Sequence, residues 1–121
     1  MIKYIMIMGL FSFLTSSKAQ ETDTIKILNV EDFKSSISQK NVQLIDVRTP
    51  KEYRSGHISK AVNIDIFQQS SFRTSVEKLD KNKAVYLYCR SGNRSQKAAR
   101  VLAGMGFDQI YDLKGGYMSW H

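Results

Sequence analysis

Scarcity sets the first bounds on this chain. It has a single cysteine, a single proline and two histidines among 121 residues. One cysteine, Cys89, excludes an intrachain disulfide and any cysteine-based metal cluster. His57 and His121 are too few and too scattered for a zinc site, so neither a metal nor a cofactor is expected. The apolar stretch at residues 4–14 is well short of the about 20 residues that a membrane-spanning helix needs. Repeats and low-complexity tracts are lacking, as is any dense Lys/Arg block interleaved with aromatics, so no nucleic-acid partner is expected. The formal charge of +7 falls to +5 once Lys3 and Lys18 are set aside, with lysines and acids interspersed. Such a mildly basic shell serves solubility and suits small anionic substrates. The length fits one domain around one ordinary core.

The amino terminus reads as an address. Met1-Ile2-Lys3 gives a short positive start, an apolar run follows, and Thr15-Ser16-Ser17-Lys18-Ala19 is polar and small. Ser17-x-Ala19 fits the small-x-small cleavage pattern, which predicts a signal peptide over residues 1–19 and a domain over 20–121. No cysteine follows the apolar run, so a lipid-anchored form has nothing to acylate. The expected product is exported, periplasmic or secreted, with no stable membrane association after cleavage. A free thiol in an oxidising compartment invites damage unless chemistry requires it, which makes Cys89 more telling.

Beyond that segment, apolar patterning predicts strands over 24–28, 42–47, 61–64, 84–88 and 110–113. Helices are predicted over 30–37, from Pro50 to about Ser55, over 67–79 and over 96–103, with a helical stub at 117–120. Thr49-Pro50-Lys51-Glu52 is a capping box with proline in the first helical position. Gly56 is expected as a left-handed C-cap, and Ser70 or Ser71 as the cap of the 67–79 helix. Alternating strands and helices imply an α/β fold, a small, mainly parallel sheet with helices on both faces. Active crevices of such sheets lie at the carboxyl ends of the strands, where Asp46-Val47-Arg48 and Cys89 both fall.

Cys89 sits where a strand turns into a helix, in Tyr88-Cys89-Arg90-Ser91-Gly92-Asn93-Arg94-Ser95. Unpaired amides and the helix dipole at such a turn favour negative charge. Gly92 can take positive φ and let the loop curl its amides inward as a nest. Arg90 and Arg94 add two positive charges, one to orient anionic oxygens by paired hydrogen bonds and one to hold the loop. Cys89 is therefore the candidate catalytic residue, and Arg90, Ser91, Gly92, Asn93, Arg94 and Ser95 the candidate substrate-binding residues. Asp46 and Arg48 read as a structural brace that involves Glu52. His57 reads as a packed, hydrogen-bonded turn residue, and Lys114-Gly115-Gly116 as a turn bordering the crevice. Tyr117 and Trp120 are expected in the core or the pocket wall.

These residues resemble the rhodanese family of sulfurtransferases. The matching stretches are Leu44-Ile45-Asp46-Val47-Arg48 with Glu52-Tyr53, then Gly56-His57-Ile58 with Ala61 and Asn63. The cysteine loop follows, and then Leu113-Lys114-Gly115-Gly116 through Trp120. The resemblance implies a rhodanese-like fold that moves a sulfane sulfur from thiosulfate or a similar small anionic donor onto Cys89. The persulfide then passes its outer sulfur to an acceptor, cyanide in an assay or a thiol in the cell. Phosphatases and arsenate reductases of related fold resemble Cys-x5-Arg, but here the position that pattern needs is Ser95, and residue 88 is Tyr where such enzymes place His. A non-catalytic rhodanese-like binding module and a single-thiol redox sensor stay as alternatives. The intact loop argues against the first, and the lack of a resolving cysteine against the second.

Overall fold

A computed structural model describes residues 24–121. The expected signal peptide, residues 1–19, lies outside the described residues. The chain runs β1 (Ile25–Leu28), α1 (Val30–Ile37), β2 (Gln43–Asp46), α2 (Pro50–Ser55), β3 (Val62–Asn63) and α3 (Gln69–Val76). It continues through β4 (Val85–Tyr88), α4 (Asn93–Gly104) and β5 (Ile110–Leu113) to a closing 3-10 turn, Gly116–Ser119. The strands form one five-stranded sheet in the order β1-β5-β4-β2-β3, and every pairing in it is parallel. The expected α/β architecture is the observed one.

Strand alternation splits the core into two layers. Ile45, Val85, Leu87 and Ile110 pack on one face against Phe72 and Val76 of α3 and Ala98, Ala99 and Leu102 of α4. Leu44, Tyr88 and Leu113 pack on the other against Phe33 of α1, Ile58 and Ala61, with Tyr117 and Trp120 beside them. β4 runs through the middle, so the segment leaving its carboxyl end is held from both sides.

The local signals acted unevenly. Thr49 caps α2 as the sequence implies: its side chain accepts from the Glu52 amide, and Glu52 accepts from the Thr49 amide in return. Gly56 does take positive φ, but at φ 153° and ψ 138° it is not in the left-handed helical region. That conformation turns its carbonyl toward Arg48 Nη2, which donates to it at 2.7 Å. Neither Ser70 nor Ser71 caps α3; the helix starts after Gln68 without a side-chain cap. Asp65 closes the preceding turn instead, accepting from the Phe67 amide through Oδ1 at 2.9 Å. The expected brace of Asp46, Arg48 and Glu52 also divides differently, because Glu52 pairs with Arg94.

Candidate active site

Cys89 continues the alternation of β4, so its side chain turns to the α4 side of the sheet, as Val85 and Leu87 do. The thiol is only 1% exposed. Gly92, at φ 116° and ψ −15°, folds the chain back so that its amide donates to Sγ at 2.9 Å. That conformation lies where glycine alone is unstrained. Ser95 Oγ lies 3.3 Å from the sulfur, and its hydroxyl donates to the Gly92 carbonyl at 3.2 Å. α4 therefore begins at Asn93, three residues ahead of the sequence-based expectation, and Arg94 and Ser95 form its first turn. The positive dipole end of α4 lies at the sulfur, where the Gly92 amide makes its contact.

The rear of the loop rests on the chain terminus. The Tyr117 amide donates to the Cys89 carbonyl at 2.7 Å, and the Met118 amide to the Arg90 carbonyl at 3.0 Å. Gly116 permits this approach, since a Cβ there would stand 2.5 Å from the Arg90 carbonyl carbon and oxygen. Lys114-Gly115-Gly116 is thus more than a bordering turn: its last glycine lies directly against the loop backbone.

The two loop arginines part company. Arg94 gives both terminal nitrogens to Glu52, at 2.7 and 2.9 Å, and its guanidinium lies 5.3 Å from the centre of the Phe67 ring. This pair ties α4 to α2 and holds the Glu52 carboxyl at about 2, well below the ordinary carboxylate range. Arg94 is raised in turn, chiefly by the same carboxylate. Arg90 projects into solvent with Ser91 and Asn93, and among the described residues its guanidinium forms no ion pair.

At the end of β2, Asp46 receives Arg48 Nη2 at 2.6 Å and Nε at 3.0 and 3.1 Å. The guanidinium packs against the stacked Tyr117 and Tyr88 rings, 4.4 and 5.6 Å from their centres. Burial works against the Arg48 charge, but the hydrogen bonds and charge of Asp46 outweigh it and raise the guanidinium further. Tyr88 accepts from the Ile58 amide at 3.0 Å, and burial pushes its phenol above the ordinary value. His57 stacks on Tyr53 at 3.7 Å and donates from Nδ1 to its carbonyl at 2.8 Å, in keeping with a turn residue.

Beneath Ser95 lies a residue that reading the sequence did not single out. Asp112 of β5 is 2% exposed and takes Gln96 Nε2 on Oδ2 at 2.6 Å. Its Oδ1 is buried without a hydrogen-bond partner. The available signal was parity: an acid inside an apolar strand, on the face that also receives Cys89. Among the described residues, no three His, Cys, Asp or Glu side chains gather as a metal site would require.

A buried sulfur at a strand-to-helix turn, with an amide and a hydroxyl on it, suits the holding of an anionic sulfur species. The comparisons with known proteins agree with the architecture. The chain is 35% identical over 120 residues to the Bacillus subtilis protein YqhL, covering 99% of this chain and 91% of the relative. It is 32% identical over 98 residues to the thiosulfate sulfurtransferase GlpE of Shewanella oneidensis, covering 81% and 94% of the two chains. A rhodanese-like domain protein from Staphylococcus aureus superposes with a TM-score of 0.70 at 28% identity, covering 79% and 91%. The model of the rhodanese-like domain matches residues 29–121, and the chain belongs to that family.

Proposed function

We propose that this protein is a sulfurtransferase that carries a sulfane sulfur on Cys89. The Cys89 thiolate attacks the outer sulfur of thiosulfate or a similar anionic donor. The S–S bond of the donor breaks and sulfite leaves with the electron pair. A nucleophilic acceptor, cyanide in an assay or a thiol in the cell, then takes the outer sulfur of the persulfide and restores the thiolate. Cys89 is the catalytic residue in this reading. The Gly92 amide and the first turn of α4 stabilise the charged sulfur, and exposed Arg90, with Ser91 and Asn93, meets the donor's oxygens. Arg94 positions the loop through Glu52, and Ser95 supports the sulfur from below.

The observation that carries the proposal is the buried sulfur with a 2.9 Å amide contact at a helix start. A phosphatase reading fares worse, because Ser95 fills the place where Cys-x5-Arg needs its arginine and Arg94 is turned toward Glu52. Intact mass after thiosulfate treatment is the test. A gain of one sulfur atom, reversed by cyanide and lost in Cys89→Ser, is expected. Full turnover in that variant would refute the role of Cys89. Export remains part of the proposal, and amino-terminal sequencing of the product that still begins at Met1 would remove it.

A further inference from the structure

Between α3 and α4 runs a groove that the sulfur chemistry does not use. α4 turns Ser95, Ala98, Ala99 and Leu102 inward, which leaves Arg94, Lys97 and Val101 on another stripe at i, i+3 and i+7. Lys97 and Arg100 of α4 and Arg73 of α3 bound a hollow of about 460 Å³, with Val101 and Gly104 completing its wall. A smaller hollow of about 40 Å³ adjoins it, shares Arg73, Lys97 and Val101, and is closed by Ile66, Gln69 and Phe72. Among the described residues the ion pairs are Arg48 with Asp46 and Arg94 with Glu52, so the three cations of the groove are unmatched. Even Glu77, one helical turn beyond Arg73, forms no pair with it. The groove leads to the Cys89 loop. Ile66 in its wall precedes Phe67, which is 62% exposed and has the Arg94 guanidinium 5.3 Å from its ring centre. From Arg94 to Arg100 is about 9 Å along the helix.

Cations beside an apolar hollow narrow the choice of occupant. Like charges held together without counter-charges repel, and acidic groups set among them relieve that repulsion. A side chain placed against Ile66, Phe72 and Val101 takes apolar surface out of water. A nucleic acid would meet the cations with its phosphates but has no aliphatic side chain for the smaller hollow. We propose that the groove between α3 and α4 docks an acidic segment of a protein, and that this protein carries the thiol that accepts the sulfur. The segment seats an apolar side chain in the smaller hollow and sets carboxylates on Arg73, Lys97 and Arg100. Its thiol then passes Phe67 to reach the persulfide of Cys89. The acceptor sulfur bonds the outer sulfur, the bond from that sulfur to Cys89 Sγ breaks, and Cys89 leaves as a thiolate. The proton of the acceptor thiol ends on the partner's new persulfide. The inference rests on the sulfurtransferase reading for this transfer, while the docking is measured without it.

The probe is a peptide of glutamates with one leucine and one cysteine, beside a copy with lysines for the glutamates and a copy with serine for the leucine. Fluorescence anisotropy reads binding with the peptide thiols blocked, and intact mass reads sulfur passed from the thiosulfate-loaded protein to the free thiols. The glutamate peptide is expected to bind and accept sulfur at least about tenfold better than the lysine copy. The serine copy should lose about tenfold, the worth of one buried leucine. A double variant, Lys97→Glu with Arg100→Glu, is expected to lose about tenfold for the glutamate peptide and to keep its cyanide turnover. The control is Lys40→Glu with Lys60→Glu, which removes the same charge beside a hollow lined by Leu44 on the α1 side of the sheet. It is expected to change binding by less than about twofold, because charges that distant are screened. Equal losses in the two double variants would reduce the effect to net charge and overturn the proposal. Equal binding of the glutamate and lysine peptides would overturn it too, as would a mixed-sequence RNA oligonucleotide bound as tightly as the glutamate peptide. Should thiosulfate add no sulfur to the wild-type protein, the sulfurtransferase reading falls, while the anisotropy still judges the groove.

Discussion

Two buried aspartates flank the strand that delivers Cys89, and the fold treats them in opposite ways. Asp46 stands beside Tyr88 on β2, and Asp112 beside Leu87 on β5. Asp46 meets a planar guanidinium that fills both its oxygens, and that guanidinium in turn lies against two stacked tyrosine rings and donates to the Gly56 carbonyl. Asp112 meets one amide on one oxygen. The difference follows from the face each occupies. Asp46 is turned toward the Tyr88 and Tyr117 side, away from the sulfur, where a fixed ion pair can brace the strand ends. Asp112 shares the Cys89 side, between Ile27 and Leu87, and among the described residues it forms no ion pair. One carboxylate is matched by a cation, and the other has none, so burial pushes it above its ordinary value.

The largest effect should come from breaking the matched pair. Arg48→Ala leaves Asp46 buried without its cation, and such a loss is worth about 3–5 kcal/mol. Urea denaturation should show it, and a loss below about 1 kcal/mol would mean that the pair is solvated rather than integral. Replacing both partners with apolar residues of similar volume should cost far less than removing one.

Next in size is Gly116→Ala, which asks whether the Cys89 corner depends on the chain terminus as the Asp46 corner depends on Arg48. The new Cβ overlaps the Arg90 backbone, and φ of 62° disfavours alanine as well. A stability loss of about 1–3 kcal/mol is expected, with sulfur loading reduced further because the loop itself must shift. Unchanged loading would show that the loop holds its shape without this support.

Much of this was legible in the chain. The lone cysteine, the glycine three residues on and the two nearby arginines mark a strand-to-helix turn. The capping box marks the start of α2 because its hydrogen bonds are local. What escaped notice depends on contacts distant in sequence. Arg94 and Glu52 are 42 positions apart, so neither residue announces its partner. The first turn of α4 is Asn93-Arg94-Ser95, which has no apolar period to read, so sequence patterning places its start at Gln96. In sequence, Asp112 is an ordinary polar position in a strand. Its meaning comes from sharing a face with Cys89, which only the sheet order establishes. Gly116 is similar: a glycine pair suggests a turn, but not that its backbone touches Arg90.

Glu52 provides an intermediate case between the two aspartates, paired yet partly open to water. Its carboxyl titrates at about 2 in the folded protein against an ordinary 4.5. A lowered acid stabilises the fold at pH above the unfolded value, and that contribution is lost as the pH falls from about 4.5 toward 2. Glu52→Gln should therefore flatten the acid side of the stability profile, with a loss of about 1 kcal/mol at neutral pH because water screens the exposed part of the pair. Thermal melts across that range compare the two proteins. An unaltered acid limb would assign the acid sensitivity to other carboxyls.

Asp112→Asn should have the smallest effect on stability, and one of opposite sign. A carboxyl raised by burial is ionised in the unfolded chain before it is ionised in the folded one. The folded state is therefore favoured at low pH, and this advantage fades as the pH rises from the unfolded value through the folded one. The asparagine variant has no proton to lose. It should match the wild type in acid and exceed it above the folded midpoint, by less than about 1 kcal/mol, since it retains the bond with Gln96 in neutral form. Equilibrium unfolding of both proteins at acid and alkaline pH gives the comparison directly. If the variant is instead less stable at alkaline pH, Asp112 is as well matched as Asp46, and the contrast between the two sides of β4 disappears.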